Sequence, residues 1–239
     1  MRIGLVSAKG SPGATTVALA LATVAAGTMV ELDPTGGDVE CWSGPKGEPG
    51  LIRVAGGVRH GADPAGLLDT HAVEAWPGVR AVLAPTGAET AESTLVAIGE
   101  RLAPVLRTHQ GWVVADGGRW SRSQLTARRL AGCELIGLVM SPTLAGVEHA
   151  RWLVGPLTDT FGIPVVGVPV GDRPYPVADV AGALGVPVAG VAAWDPRGVQ
   201  TLVTVGASRL WRRSALARSA RSLVDGLERM SVEAVIGRG

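Results

Sequence analysis

Lysine is nearly absent from this chain. Of its 22 basic residues only Lys9 and Lys46 are lysines; the rest are arginines. Tyrosine and phenylalanine occur once each, and there are two cysteines, Cys41 and Cys133. Two cysteines make no disulfide framework, and neither has a nearby base or a companion thiol. Buried small apolar residues in a reducing cytoplasm are the expected reading. The four histidines, His60, His71, His109 and His149, lack metal-ligand spacing. A net charge of +1 gives no whole-molecule field for nucleic acid or an anionic membrane. No apolar run approaches the roughly 18 residues of a membrane span. The opening MRIGLVSAKG reads as a buried strand rather than a signal peptide. No Ser-His-Asp spacing suggests a hydrolase.

What remains is 239 residues with 46% hydrophobic content, enough for one substantial core and a single α/β domain over 1–239. Strand-like runs rich in Val, Ile and Leu fall at 2–7, 28–32, 79–84, 111–116, 135–141, 163–170 and 186–192. They are nearly continuous in apolar residues, as strands covered on both faces are, so a mostly parallel sheet is expected. Helical patterns at 15–26, 89–107, 121–131, 144–158, 176–184 and 207–230 make it a doubly wound sheet flanked by helices. The Gly- and Pro-rich stretch 43–70 reads as a mobile loop with short helices.

The stretch SAKGSPGATT follows the first strand and opens the first helix. Glycines before a helix N-terminus let backbone N–H groups approach an anion, and the helix dipole favours negative charge. Gly10, Gly13, Thr15 and Thr16 suit phosphate and Mg²⁺, with Ser11 in the same turn. The pattern G-x-x-x-x-G-K-[ST] is met only in part, since Ala8 replaces its first glycine and Ala14 its lysine. A plain strand-to-helix turn is the alternative reading. VELDPTGGD ends the second strand with Glu31 and Asp33, where Asp33-Pro34 also makes an ordinary turn. GWVVAD places Asp116 at another strand end, and ligands of open α/β sheets bind at such carboxyl ends.

AKGSPGATT resembles the deviant phosphate loop K-G-G-x-G-K-T-T of the ParA/MinD P-loop ATPases, and LDPTGGD resembles their second-strand motif. The resemblance covers most of the chain, poorest over 43–75, and extends to the eroded loops of CpaE/TadZ-like and actinobacterial-looking proteins. It implies ATP or ADP with Mg²⁺ between two subunits of a homodimer. Lys9 would be the signature lysine that reaches the partner's phosphates, with a catalytic role beside Asp33, which positions water. Gly10, Ser11, Gly13, Ala14, Thr15 and Thr16 would form the phosphate cradle, and Thr15, Glu31 and Asp116 would serve the metal. Asp172, Arg173, Asp195 and Pro196 would border the base, although DRPYP and WDPRG are also good turns. The lysine replaced by Ala14 contacts β- and γ-phosphates in that family, so weak ATPase activity is expected. The implied function is intracellular positioning or partition. The alternative is a nucleotide-independent adaptor in a pilus, secretion or partition complex.

The C-terminal pattern carries Arg209, Arg212, Arg213, Arg218 and Arg221, with Leu210, Leu216, Leu223 and Leu227 as an apolar stripe. A plain surface helix, weak DNA or partner contact, and membrane contact all remain open for it. Tryptophan is plentiful, at seven residues. Trp120 falls beside Asp116 and Trp42 in the stretch after LDPTGGD, with core or interface packing the general expectation.

Overall fold

The computed structural model describes residues 1–9, 12–48, 50–121 and 128–236. Seven strands form one sheet: β1 (Arg2–Ser7), β2 (Thr28–Glu31), β3 (Val73–Trp76), β4 (Val79–Val82), β5 (Val113–Arg119), β6 (Leu135–Met140) and β7 (Val165–Pro169). Their order is β3-β4-β2-β5-β1-β6-β7, and every pairing is parallel except β3 with β4. Six of the seven expected strands are present. The exception is 186–192, which touches the sheet only through isolated bridges at Val188 and Ala192. Pro187 and Gly190 interrupt a regular ladder. The antiparallel edge strand β3 was not expected, because VEAW is too short to show a period.

Side chains alternate between two cores. Ile3, Leu5, Met29, Val114 and Val139 join one apolar cluster, and Val6, Val30, Val113, Ala115 and Leu138 join the other. The first cluster contains helix α1 (Ala14–Val24), in which every residue from Val17 to Ala22 is buried. A helix that is apolar on all sides must be covered on all sides. The sheet covers one side of α1, and the C-terminal helix packs on the other.

The stretch 43–70 is more ordered than expected. Helices α2 (Val39–Ser43), α3 (Gly50–Arg59) and α4 (Leu67–His71) bury Val39, Leu51, Val54, Leu67 and Leu68. The pattern over 89–107 divides at Gly99 into α5 (Ala88–Ile98), a 3₁₀ turn and α6 (Leu102–Thr108). Of the helix expected over 121–131, residues 122–127 lie outside the described residues, and 128–131 form turns. Helices α7 (Leu144–Phe161) and α8 (Val177–Leu184) fall where expected.

Helix α9 (Pro196–Val205) replaces the loop read at WDPRG, because Asp195 caps it and Pro196 is its first residue. The last helical pattern begins late, with a 3₁₀ turn at Trp211–Arg213 and then α10 (Ala215–Ile236). Leu216, Leu223 and Leu227 are buried as a stripe, but Leu210 precedes the helix and stands 69% exposed. Among the described residues no helix is long and apolar enough to cross a membrane.

Candidate nucleotide site

The carboxyl ends of β1, β2 and β5 lie side by side at the centre of the sheet, since Leu5 and Glu31 both pair with Asp116. Two clefts open there. One, of about 430 Å³, is lined by Ser7, Pro12, Gly13, Ala14, Thr15, Thr16, Asp33, Thr35, Asp38, Trp42, Gly118 and Arg119. The other, of about 350 Å³ and mostly apolar, is lined by Gly13, Thr16, Val17, Val170, Ala192–Pro196, Val199, Gln200 and Leu216. They share Gly13 and Thr16, so a ligand with an anionic part and a flat apolar part can occupy both.

Gly13 is the N-cap of α1 at φ 90°, a conformation that suits glycine. It has no side chain to cap the helix, and the first turn holds no acid. The N–H groups of the first turn have no intrahelical acceptor, and they bring the positive end of the helix dipole to the cleft. A Cβ on Gly13 would meet nothing within 4 Å, so the approach to the turn is open. Gly10 and Ser11, expected in the same cradle, lie outside the described residues. Ala14 is buried and packs into the first core cluster.

Asp116 is buried, and burial pushes its carboxyl up to about 6, against hydrogen bonds from the Thr15 hydroxyl and the Gly118 amide that pull it down. Thr15 and Asp116, 101 positions apart, are therefore neighbours in the fold.

Glu31 proves to be engaged elsewhere. Oε1 accepts from the amides of Asp38 (2.8 Å) and Val39 (2.9 Å), and Oε2 from Ala84 (3.0 Å). It ties the loop 33–38 to the end of β4 and is no open metal ligand. Burial raises its carboxyl to about 7, with the Asp116 charge acting in the same direction and the three amides opposing. Gly36 and Gly37 are required for close packing. A Cβ on Gly36 would strike the Thr86 carbonyl, and one on Gly37 would lie 2.6 Å from Glu31 Oε2.

Asp33 lines the anionic cleft. Its Oδ1 accepts from the Thr35 amide (2.8 Å) and hydroxyl (2.7 Å). Its Oδ2 lies over Gly118, where a Cβ would overlap it. Below them sits Arg129, which the sequence reading missed. It is buried, and its guanidinium donates to Gly117 O (2.7 Å) and Arg119 O (3.2 Å). Burial lowers its pKa to about 10, against the attraction of Asp33 and Asp116, so it stays charged. One buried cation inside a group of arginines leaves no periodic trace in a sequence.

Lys9 is exposed and lines a separate groove of about 170 Å³ with Pro12, Ser141, Thr143 and His149, not the cleft over its own α1. Asp195 and Pro196 line the apolar cleft. Asp195 is engaged in capping: Oδ1 accepts from Gly198 (2.9 Å) and Oδ2 from Leu216 (3.1 Å). Asp172 and Arg173 are exposed and line neither cleft; Val170 takes their place. Trp194, 74% exposed at the mouth, was also missed. Trp42 lines the anionic cleft, while Trp120 is buried in the core. Cys133 is a buried thiol pushed up to about 12, chiefly by desolvation, so it is no nucleophile.

Among the described residues no cluster of three or more His, Cys, Asp or Glu side chains is arranged to hold a metal by itself. A cation beside Thr15 and Asp116 would have to share its ligands with a phosphate, as Mg²⁺ commonly does. The C-terminal arginines are partly engaged: Arg212 donates to Ala207 O (3.0 Å), Arg221 to Arg212 O (2.6 Å) and Arg218 to Arg213 O.

The sequence matches no family model and no curated protein. Solved structures do match. A ParA family ATPase from Chlorobium tepidum is 18% identical with a TM-score of 0.73, over 95% of this chain and 97% of that one. The septum site-determining protein MinD from Pyrococcus horikoshii, complexed with Mg-ADP, is 15% identical with a TM-score of 0.69, over 96% of each chain. A putative plasmid partition protein from Borrelia burgdorferi bound to AMPPNP is 12% identical with a TM-score of 0.66, over 96% and 98%. The fold is therefore that of the ParA/MinD P-loop ATPases.

Proposed function

From this fold and the paired clefts, we propose that residues 1–239 act as one nucleotide-binding domain of an intracellular positioning or partition system. The observation that carries the reading is the buried Asp116 at a strand end beside Thr15 and the N-terminus of α1, with an apolar cleft directly alongside. A core turn would not need a buried acid at that place.

The amides of the first turn of α1, with Thr15 and Thr16, would hold the phosphates of ATP or ADP. Thr15 and Asp116 would hold Mg²⁺, which supplies charge neutralisation when bound. Trp194 and Pro196 would take the base. Asp33 keeps Oδ2 toward the cleft, where it would orient a water. Lys9 lines the neighbouring groove and not its own cleft, a placement that suits a charge serving a second subunit of a homodimer. With Ala14 buried and apolar, electrostatic help for phosphoryl transfer is reduced, and turnover is slow.

Titration calorimetry with Mg-ADP and Mg-AMPPNP tests the reading. Binding that is lost in Thr15→Ala is expected. Complete silence would favour an adaptor that kept the scaffold without the ligand, the reading that Ala14 supports.

A further inference from the structure

The anionic cleft combines helix amides with the hydroxyls of Ser7, Thr15, Thr16 and Thr35, yet it is poor in positive charge. Ala14 packs into the core and Lys9 lines another groove. Among the described residues lining this cleft, Arg119 is the one cation. We propose that Arg119 supplies, from the end of β5, the phosphate-contacting charge that the loop itself lacks. The proposal rests on the nucleotide reading above and names the residue that makes that reading workable.

Three features place Arg119 there. The first is an irregularity in the sheet. Leu5 pairs with Asp116, but Ser7 pairs with Arg119, so β5 holds one more residue than β1 over this span. Such a bulge exchanges the face of every side chain after it and re-aims the first of them. In an unbroken ladder Gly118 would stand opposite Ser7. The extra residue instead brings Arg119 beside the first residue of the loop.

The second is how the bulge is held. Gly118 adopts φ 60°, and only a residue without Cβ leaves space there for the Asp33 carboxylate. Arg129 grips the carbonyls on either side of it, Gly117 O and Arg119 O. A buried guanidinium fixing backbone at this point makes Arg129 a positioning residue for both Asp33 and Arg119.

The third is availability. The Arg119 side chain is exposed, and its guanidinium makes no hydrogen bond or ion pair among the described residues. A guanidinium offers a planar fork of donors that matches phosphate oxygens two at a time.

The test uses the full chain, titrated with Mg-ATP, with tripolyphosphate and with adenosine. Arg119→Ala is expected to weaken Mg-ATP and tripolyphosphate by roughly ten- to a hundredfold, the effect of one lost charge-assisted contact, and to leave adenosine unchanged. Arg119→Lys should recover part of the loss, and Ala14→Lys placed in the Arg119→Ala chain should recover more. Arg119→Gln, which keeps length and polarity without charge, should behave as the alanine variant does. Melting curves without ligand check that each variant is folded. Wild type that binds Mg-ATP, with Arg119→Ala and Arg119→Gln binding equally well, overturns the role of Arg119 and leaves the nucleotide reading standing. Wild type that binds neither Mg-ATP nor tripolyphosphate overturns both.

Discussion

Two buried carboxylates make this molecule sensitive to pH in an unusual direction. Glu31 and Asp116 stand at paired positions on neighbouring strands, with carboxyls raised to about 7 and about 6. Each binds a proton more readily folded than unfolded. In the window between the ordinary carboxylate range and pH 7 the native state holds more protons, so stability falls as pH rises and levels off above pH 7. Urea midpoints at pH 5, 6, 7 and 8 should decline and then flatten. Glu31→Gln should reduce that slope. It should also cost about 1–3 kcal/mol, because an amide cannot accept from Asp38, Val39 and Ala84 together and one buried N–H is left unpaired. A slope unchanged in Glu31→Gln would place the titration elsewhere. Asp195 behaves oppositely: despite the upward pull of burial, the amides of Gly198, Leu216 and Ala215 hold its carboxyl below the ordinary range. Its contribution is present above the usual carboxylate pKa and is lost in acid. Asp195→Ala removes the cap of α9 and an acceptor for the first amides of α10, which keeps its Ser214 hydroxyl, and should cost roughly 1–3 kcal/mol by urea unfolding at pH 7.

At the scale of elements, the junction of β5 with the loop after β2 is the most constrained part of the site. Gly118→Ala adds strain from the positive φ and a methyl where the Asp33 carboxylate lies. Loss of more than about 1 kcal/mol is expected by urea unfolding. If nucleotide binds, Gly118→Ala should also lower both affinity and turnover, because the bulge that places Arg119 is disturbed and Asp33 is displaced. Unchanged affinity and turnover in a folded Gly118→Ala chain would mean that the bulge has no part in the site. Helix α10 has a different task. Ala217 and Ala220 bring it close to the small side chains of α1, so it backs the helix whose N-terminus faces the ligand. Three of its region's arginines hold the carbonyls of 207–213, which leaves fewer of them available for DNA than the sequence alone suggests.

For the whole molecule, the expected behaviour is assembly controlled by ligand. A nucleotide between two subunits stabilises the pair through contacts that a single subunit lacks. Light scattering with Mg-AMPPNP should show a doubled mass for wild type, and Lys9→Ala should remain at the single-chain mass. Lys9→Arg should assemble only in part, since a planar guanidinium is bulkier than an ammonium. Identical masses for all three, with and without nucleotide, would remove Lys9 from any role across an interface.

The chain's own residues determined the alternation of strands and helices, the parallel sheet and the strand ends where ligands gather, because continuous Val, Ile and Leu runs and glycine-rich turns are local signals. They also marked Gly13, Thr15, Asp33 and Asp116, which folding brings together through the pairing of β1, β2 and β5. Only the tertiary structure decided what each acid does. Glu31 and Asp33 are two residues apart and look equivalent in sequence. One is engaged by three backbone amides that arrive from as far as residue 84, and the other keeps an oxygen at the cleft. The displaced Asp172 and Arg173, the bulge that re-aims Arg119 and the buried Arg129 were likewise invisible. Each depends on partners distant in the chain, whose approach no local pattern records.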